Sequence, residues 1–210
     1  MYKDELINNL KLNTIRMLEL TFNDLFKALE SIKKNDDVKV NDDEIDSKYV
    51  EIESLALKIL LKEQMYSKDL RVVTGILKLV DDIERIGDHS EDLLWCSSKF
   101  TNEEKLVDIE NLNILLNRIR DMTSLTLKAF LSEDIELATS NMNMDDEIDS
   151  LYLKTLSELE SFKNKNEYQN LIIYSTLISK YLERVGDHLV NINEWIIYIK
   201  NGEYKGKIII

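Results

Sequence analysis

The chain of 210 residues has no proline, one cysteine, five glycines and two histidines. Without proline nothing forces a break in a long helix, and few glycines leave few places for a left-handed turn. The lone Cys96 excludes an internal disulfide and suits a reducing compartment. With no activating partner near it in sequence, it reads as a small buried hydrophobe. No apolar run approaches the roughly 18–20 residues of a membrane span, and Met1-Tyr2-Lys3-Asp4-Glu5 lacks a signal peptide's apolar region. A cytoplasmic protein with no membrane insertion is therefore expected. Basic residues are outnumbered, 27 Lys and Arg against 40 Asp and Glu, giving a net charge of -13. That balance argues against nucleic-acid binding, which needs clustered cations to neutralise phosphates, and against docking on anionic lipid. Also missing are a glycine-rich phosphate loop, a dinucleotide fingerprint and a nucleophile beside a base, so no enzymatic centre is expected.

What is present is helical and duplicated. Apolar residues recur at three- and four-residue spacing near 3–33, 42–63, 68–98, 103–132, 135–163 and 167–200. The fold class is all-α: six long helices as two tandem three-helix bundles, residues 1–100 and 101–202, followed by a tail, 203–210. Polar links at Lys34-Asn35-Asp36-Asp37, Tyr66-Ser67 and Lys163-Asn164-Lys165-Asn166 make neighbouring helices antiparallel. Ile76, Leu79, Val80 and Ile83 on the third helix, and Ile172, Ile173, Leu177 and Ile178 on the sixth, are expected in the core. Trp95 and Trp195, near the ends of equivalent helices, read first as packing residues and second as a partner surface.

Two motifs occur twice. Glu84-Arg85-Ile86-Gly87-Asp88-His89 returns as Glu183-Arg184-Val185-Gly186-Asp187-His188, and Asp42-Asp43-Glu44-Ile45-Asp46 returns as Asp145-Asp146-Glu147-Ile148-Asp149. The acids sit four apart and so share a helix face, where like charges repel. In an antiparallel hairpin, residues at one level have positions that sum to a constant. Asp46 with Glu84 and Asp42 with Asp88 both sum to 130, placing a turn at Met65; Asp149 with Glu183 and Asp145 with Asp187 both sum to 332, placing one at Asn166. Each half thus brings four carboxylates to one level. Such a set suits a hard cation bound through oxygen, Mg, Ca, Mn or iron, in preference to zinc. The other reading is a solvated acidic face neutralised by Arg85, Arg184 and lysines. His89 and His188 point about 100° away from the aspartates before them and read as hydrogen-bonding or supporting groups rather than ligands. Gly87 and Gly186 cost about 1 kcal/mol each against alanine within a helix, which implies a close approach at the motif. Arg85 and Arg184 read as ion-pair partners that orient the acids.

These segments resemble the PhoU family of phosphate-uptake regulators. The resemblance rests on Leu79 to His89, Tyr181 to Ile192, the two upstream acidic motifs and Ser67-Lys68-Asp69-Leu70-Arg71. It implies paired three-helix bundles, each with a surface metal cluster, often multinuclear iron, on Asp42, Asp46, Glu84 and Asp88 and on Asp145, Asp149, Glu183 and Asp187. It also implies a non-enzymatic negative regulator that contacts the ATPase subunit of a phosphate ABC transporter and the PAS region of a sensor histidine kinase. A homodimer is compatible with it. Other readings are a PhoU-like regulator of a different transporter or circuit, or a di-metal carboxylate enzyme, against which the lack of any Glu-x-x-His argues. Asp92 departs from the pattern where Asn191 keeps it, and an extra acid four residues from Asp88 implies a first cluster of different charge or metal number.

Overall fold

Apolar residues at helical spacing, with no proline among them, run into long rods that must bury one face each. A computed structural model describes residues 2–34, 38–164 and 166–208. The helices are α1 (Tyr2–Ser31), α2 (Asp42–Lys62), α3 (Ser67–Ser97), α4 (Glu110–Ser132), α5 (Ile135–Met142), α6 (Asp145–Leu159) and α7 (Gln169–Asn201), followed by an antiparallel hairpin of β1 (Glu203–Tyr204) and β2 (Lys207–Ile208). Helices α1 to α3 form one bundle and α4 to α7 the other. Both contribute to a continuous apolar core, in which Leu10, Leu25, Ile52, Ile83, Leu115, Ile148 and Leu182 are fully buried. The fold is all-α, two tandem bundles related by duplication.

Helices α3 and α7 make the most extensive contact between the bundles. They can do so because Gly75 has no side chain: a Cβ there would lie 2.4 Å from Ile199 Cγ1. The crossing segment between the bundles is tied down on both sides. Thr101 and Glu104 close a capping box, Thr101 N–H donating to Glu104 Oε2 at 2.8 Å and Glu104 N–H to Thr101 Oγ1 at 3.2 Å. The other oxygen of Glu104 accepts the Leu171 N–H at the start of α7 (3.1 Å), and Lys105 donates to the carbonyls of Ser31, the last residue of α1, and of Lys34 beyond it.

Three expectations need correction. The fourth helix does not begin at 103: Glu104–Leu106 is a single 3₁₀ turn, and α4 starts at Glu110, where Glu158 of α6 accepts the N–H groups of Glu110 (2.7 Å) and Asn111 (2.9 Å). The fifth helix is two pieces. Buried Asn141 turns its amide to the Met122 carbonyl and Thr126 Oγ1, a 3₁₀-type bond from Met144 N to Asn141 O tightens the chain, and α6 restarts at Asp145. On α7, Ile178 is buried but Ile173 is 54% exposed, so the apolar stripe there is narrower than its sequence suggests. The tail forms the β-hairpin up to Ile208, with Tyr204 stacked on Trp195. Parts of the expected links and tail (Asn35 to Asp37, Lys165, Ile209 and Ile210) lie outside the described residues.

Candidate functional site

Each acidic repeat starts a helix. Asp42 is the first residue of α2 and Asp145 the first of α6, so Asp42, Asp43 and Glu44, and likewise Asp145, Asp146 and Glu147, occupy a first turn. The positive end of the helix dipole favours carboxylates there and offsets part of their repulsion. The start of α2 is fixed by Asp24 of α1, fully buried, whose Oδ2 accepts the Asn41 backbone N–H at 2.6 Å and whose Oδ1 takes Lys27 Nζ at 2.7 Å. The repeated glycines set the depth of approach: a Cβ on Gly87 would meet Ile45 at 3.3 Å and one on Gly186 would meet Ile148 at 3.2 Å. Ile45 and Ile148 are equivalent members of the acidic motifs, so glycine on one helix seats the motif of the other.

Mutual fields link Asp46 with Glu84, Asp42 with Asp88 and Asp145 with Asp187, three of the four pairs of the hairpin register. The carboxyl of Asp42 is raised above its ordinary value by burial and then by the fields of Glu91, Asp46 and Asp88. Glu84 is raised by burial and Asp88, with Asp46 and Asp42 adding and Arg85 opposing. In the second half burial pushes Asp145 up to about 6, helped by Asp149, Asp187, Asp146 and Glu183. Asp187 is likewise raised by burial, Glu183 and Asp149. One oxygen of Asp145, Oδ1, is buried with no hydrogen-bond partner, a costly arrangement that a bound cation would relieve. Oxygen-only donors of this kind fit a hard cation. As they stand, no three carboxylate, imidazole or thiol groups among the described residues converge on a common point. Part of the reason is local pairing: Arg85 lies 3.0 Å from Asp88 and 3.6 Å from Glu84, and Lys180 lies 2.6 Å from Glu183.

The supporting residues differ between the halves. Arg85 pairs with the acids as its spacing suggests, but Arg184 makes no ion pair among the described residues, and Lys180 takes that place. Glu91 was not among the site residues read from sequence. It exerts the largest of the neighbouring charges on Asp42, and Val190 is its equivalent in the second half. Its three-residue spacing from Asp88, on the same helix face, was the available signal. The extra acid of the first cluster is thus Glu91 and not Asp92, which turns to His89 (3.4 Å) at the seam between the bundles.

That seam is where both histidines go. His188 Nδ1 lies 2.9 Å from Asp82 Oδ1, which also accepts from Asn191 Nδ2 at 3.0 Å, linking α7 to α3. His89 packs its ring 5.7 Å from that of His188 and 5.5 Å from that of Tyr181. Burial lowers the pKa of His89. With an offset of 99, Asp82 corresponds to Tyr181 and Asp92 to Asn191, so the two motifs face each other in approximate two-fold fashion. Near one end of it, Cys96 is fully buried with its thiol pushed up to about 11 by that burial.

Comparison with known proteins decides the family. A family model described as the PhoU domain matches residues 14–94 and again 112–196. The chain belongs to the PhoU family. Among PhoU relatives, a "Phosphate-specific transport system accessory protein PhoU homolog 1" from Thermotoga maritima is 35% identical over 207 residues, covering 92% of this chain and 87% of that protein. The PhoU homolog of Clostridium acetobutylicum, with the same accessory-protein name, is 26% identical over 196 residues, covering 90% of each. The crystal structure of the phosphate transport system regulatory protein PhoU from Streptococcus pneumoniae superposes with a TM-score of 0.80 at 23% identity, over 96% of this chain and 98% of that one. PhoU from Pseudomonas aeruginosa gives 0.70 at 23% identity, with 96% of each chain covered. Both halves of the PhoU fold are therefore present, and each carboxylate cluster falls within a matched segment.

Proposed function

We propose that the chain is an accessory protein of a phosphate transport system, a cytoplasmic, non-enzymatic regulator that restrains phosphate uptake and the phosphate-starvation response. The observation that carries this reading is the match of both halves to the PhoU domain, joined to relatives of nearly full-length overlap that are named for that role. Its partners are the transporter's ATPase subunit and the PAS region of a sensor histidine kinase. No helix among the described residues is long and apolar enough to cross a membrane, which suits action from a partner's surface. The test is co-purification of the full chain with the ATPase subunit of the phosphate transporter from the same genome, alongside phosphate uptake in cells with and without the gene. Association, and uptake that rises when the gene is deleted, support the reading; no association and unchanged uptake overturn it.

The clusters serve that role as metal sites. Asp42, Asp46, Glu84 and Asp88 hold one, with Glu91 beside them, and Asp145, Asp149, Glu183 and Asp187 hold the other. A metal held by these carboxylates would supply charge neutralisation within each hairpin. Arg85, whose ion pair with Asp88 is exposed and worth little, would give up its carboxylates readily, whereas Lys180 would have to leave a glutamate that is 15% exposed. The support is the donor chemistry, the mutual fields of the acids and the unpartnered Asp145 Oδ1.

A further inference from the structure

Along the last turns of α3, beside the segment 38–40 and facing α7, lies an open groove of about 770 Å³ whose lining includes Lys39, Val40, Glu91, Asp92, Trp95 and Tyr181. Trp95 is 51% exposed in it. Tyr174 holds the indole edge-on at 5.7 Å, and the Lys99 ammonium lies 4.8 Å from the ring centroid, so the ring is braced and already accepts a cation. A braced, exposed tryptophan in a groove has the character of an interface anchor.

The duplication shows what covers this place when it is filled. With the same offset of 99, Trp95 corresponds to Glu194 and Glu91 to Val190, and across the seam Tyr181 corresponds to Asp82. The equivalent surroundings hold: Asp82 binds Asn191 and acts on Glu194. In the second half that surface is closed by the β-hairpin. Lys205 Nζ reaches Glu194 Oε2 at 3.9 Å, leaving the glutamate side chain 13% exposed, and the Tyr204 ring stacks on Trp195 with centroids 4.1 Å apart. The cover is an aromatic residue followed by a lysine, the lysine over the position equivalent to Trp95 and the ring one residue further on, over the position equivalent to Cys96. Among the described residues, the first half has no such segment, because the chain leaves α3 for the crossing to α4.

The geometry points to the Trp95 groove as a docking site for a segment of a partner protein that presents an aromatic ring next to a lysine or arginine. Glu91 and Asp92 outnumber the single Lys39 of the lining and supply the acids that such a cation meets, Trp95 and Tyr181 supply the rings, and the groove borders the acidic cluster through Glu91. A second copy of this chain is a poor occupant, since its hairpin is engaged on its own Trp195. The inference rests on the reading of the chain as an accessory protein that works through partners.

The test uses the full chain, ¹⁵N-labelled, titrated with a cyclised synthetic peptide of residues 201–208. A saturable shift of the Trp95 indole N–H and of amides 91–98 is expected, with the Trp195 indole unmoved. The double variant Glu91→Gln with Asp92→Asn weakens binding at least about tenfold, and asparagine already stands at the equivalent position 191. Trp95→Ala does the same when read at the amides, and Trp95→Phe retains binding. A peptide with glutamates in place of both lysines gives no shift. No saturable shift at millimolar peptide, equal binding by the charge-reversed peptide, or indifference to both the double variant and Trp95→Ala overturns the inference. Co-purification with the transporter's ATPase subunit separates the two readings. Peptide binding without that association defeats the accessory role alone, and the association without peptide binding defeats the groove alone.

Discussion

At Asp145 burial and four neighbouring acids push the carboxyl up to about 6, and its Oδ1 has no partner. Its ionised form therefore costs stability at neutral pH unless a cation is bound. In chelator, Asp145→Asn is expected to raise the stability of the folded state by up to about 1 kcal/mol, because it removes a half-buried, solvent-screened charge among like charges. With a divalent cation added, the wild type gains stability by binding, whereas the variant gains less. Thermal melts of both proteins with and without chelator check this, and an Asp145→Asn protein that is less stable in chelator would contradict it. Much of the residue scale was open to sequence reasoning: the i, i+4 spacing and the hairpin register already joined Asp145 to Asp187. What was not open was the neutralising partner. Lys180, three residues before Glu183, shares its helix face, but Arg184 stands three residues before Asp187 as Arg85 does before Asp88, and only the packing left that second pair unmade.

Helix ends decide where the clusters sit. The acidic motifs begin α2 and α6, where Asp24 and Asn141 set the geometry, and Glu158 sets the start of α4, through bonds to groups 17 to 48 residues away. Replacing Glu158 by alanine leaves the first N–H groups of α4 without their acceptor and is expected to cost about 0.5–2 kcal/mol, the range for a lost N-terminal cap. Urea denaturation measures it, and a cost below a few tenths of a kcal/mol would show that water replaces the carboxylate. Such long-range caps explain which elements could be read from the chain. Helices α1, α2 and α3 lie close to their expected spans, since propensity and periodicity already mark them, and at α2 the acidic first turn marks the same start that Asp24 holds. The break between α5 and α6 and the late start of α4 depend on side chains arriving from other helices, and local pattern carries no record of them. The hairpin after Gly202 was equally hidden, because Tyr204 is held by a ring on α7.

The two halves behave as one body because α3 and α7 share the seam and because ion pairs span it. Glu133, just past α4, takes Lys11 of α1 at 3.0 Å and Lys200 of α7 at 2.8 Å, and those hydrogen bonds hold its carboxyl down to about 2 from an ordinary 4.5. A depressed carboxylate stabilises the fold above its unfolded pKa and loses that contribution as pH falls toward the folded one. Glu133→Gln should therefore cost up to about 1 kcal/mol at neutral pH, a figure limited by the exposure of the pair. The difference from wild type shrinks as pH drops from about 4.5 toward 2, and added salt reduces it. Stability curves of both proteins against pH test the sign, and a gap that widens on acidification would refute it. The central claim for the whole molecule is that duplication made two metal sites within a PhoU-family regulator. Elemental analysis of the purified protein tests it most directly. The wild type, the first-half variant (Asp42→Asn, Asp46→Asn, Glu84→Gln, Asp88→Asn) and the matching second-half variant at Asp145, Asp149, Glu183 and Asp187 are compared after identical purification. The account predicts bound divalent or ferric metal in the wild type, a partial loss in each variant and none left when the two sets are combined. Equal metal content in all four proteins, or none in the wild type after reconstitution, would contradict it.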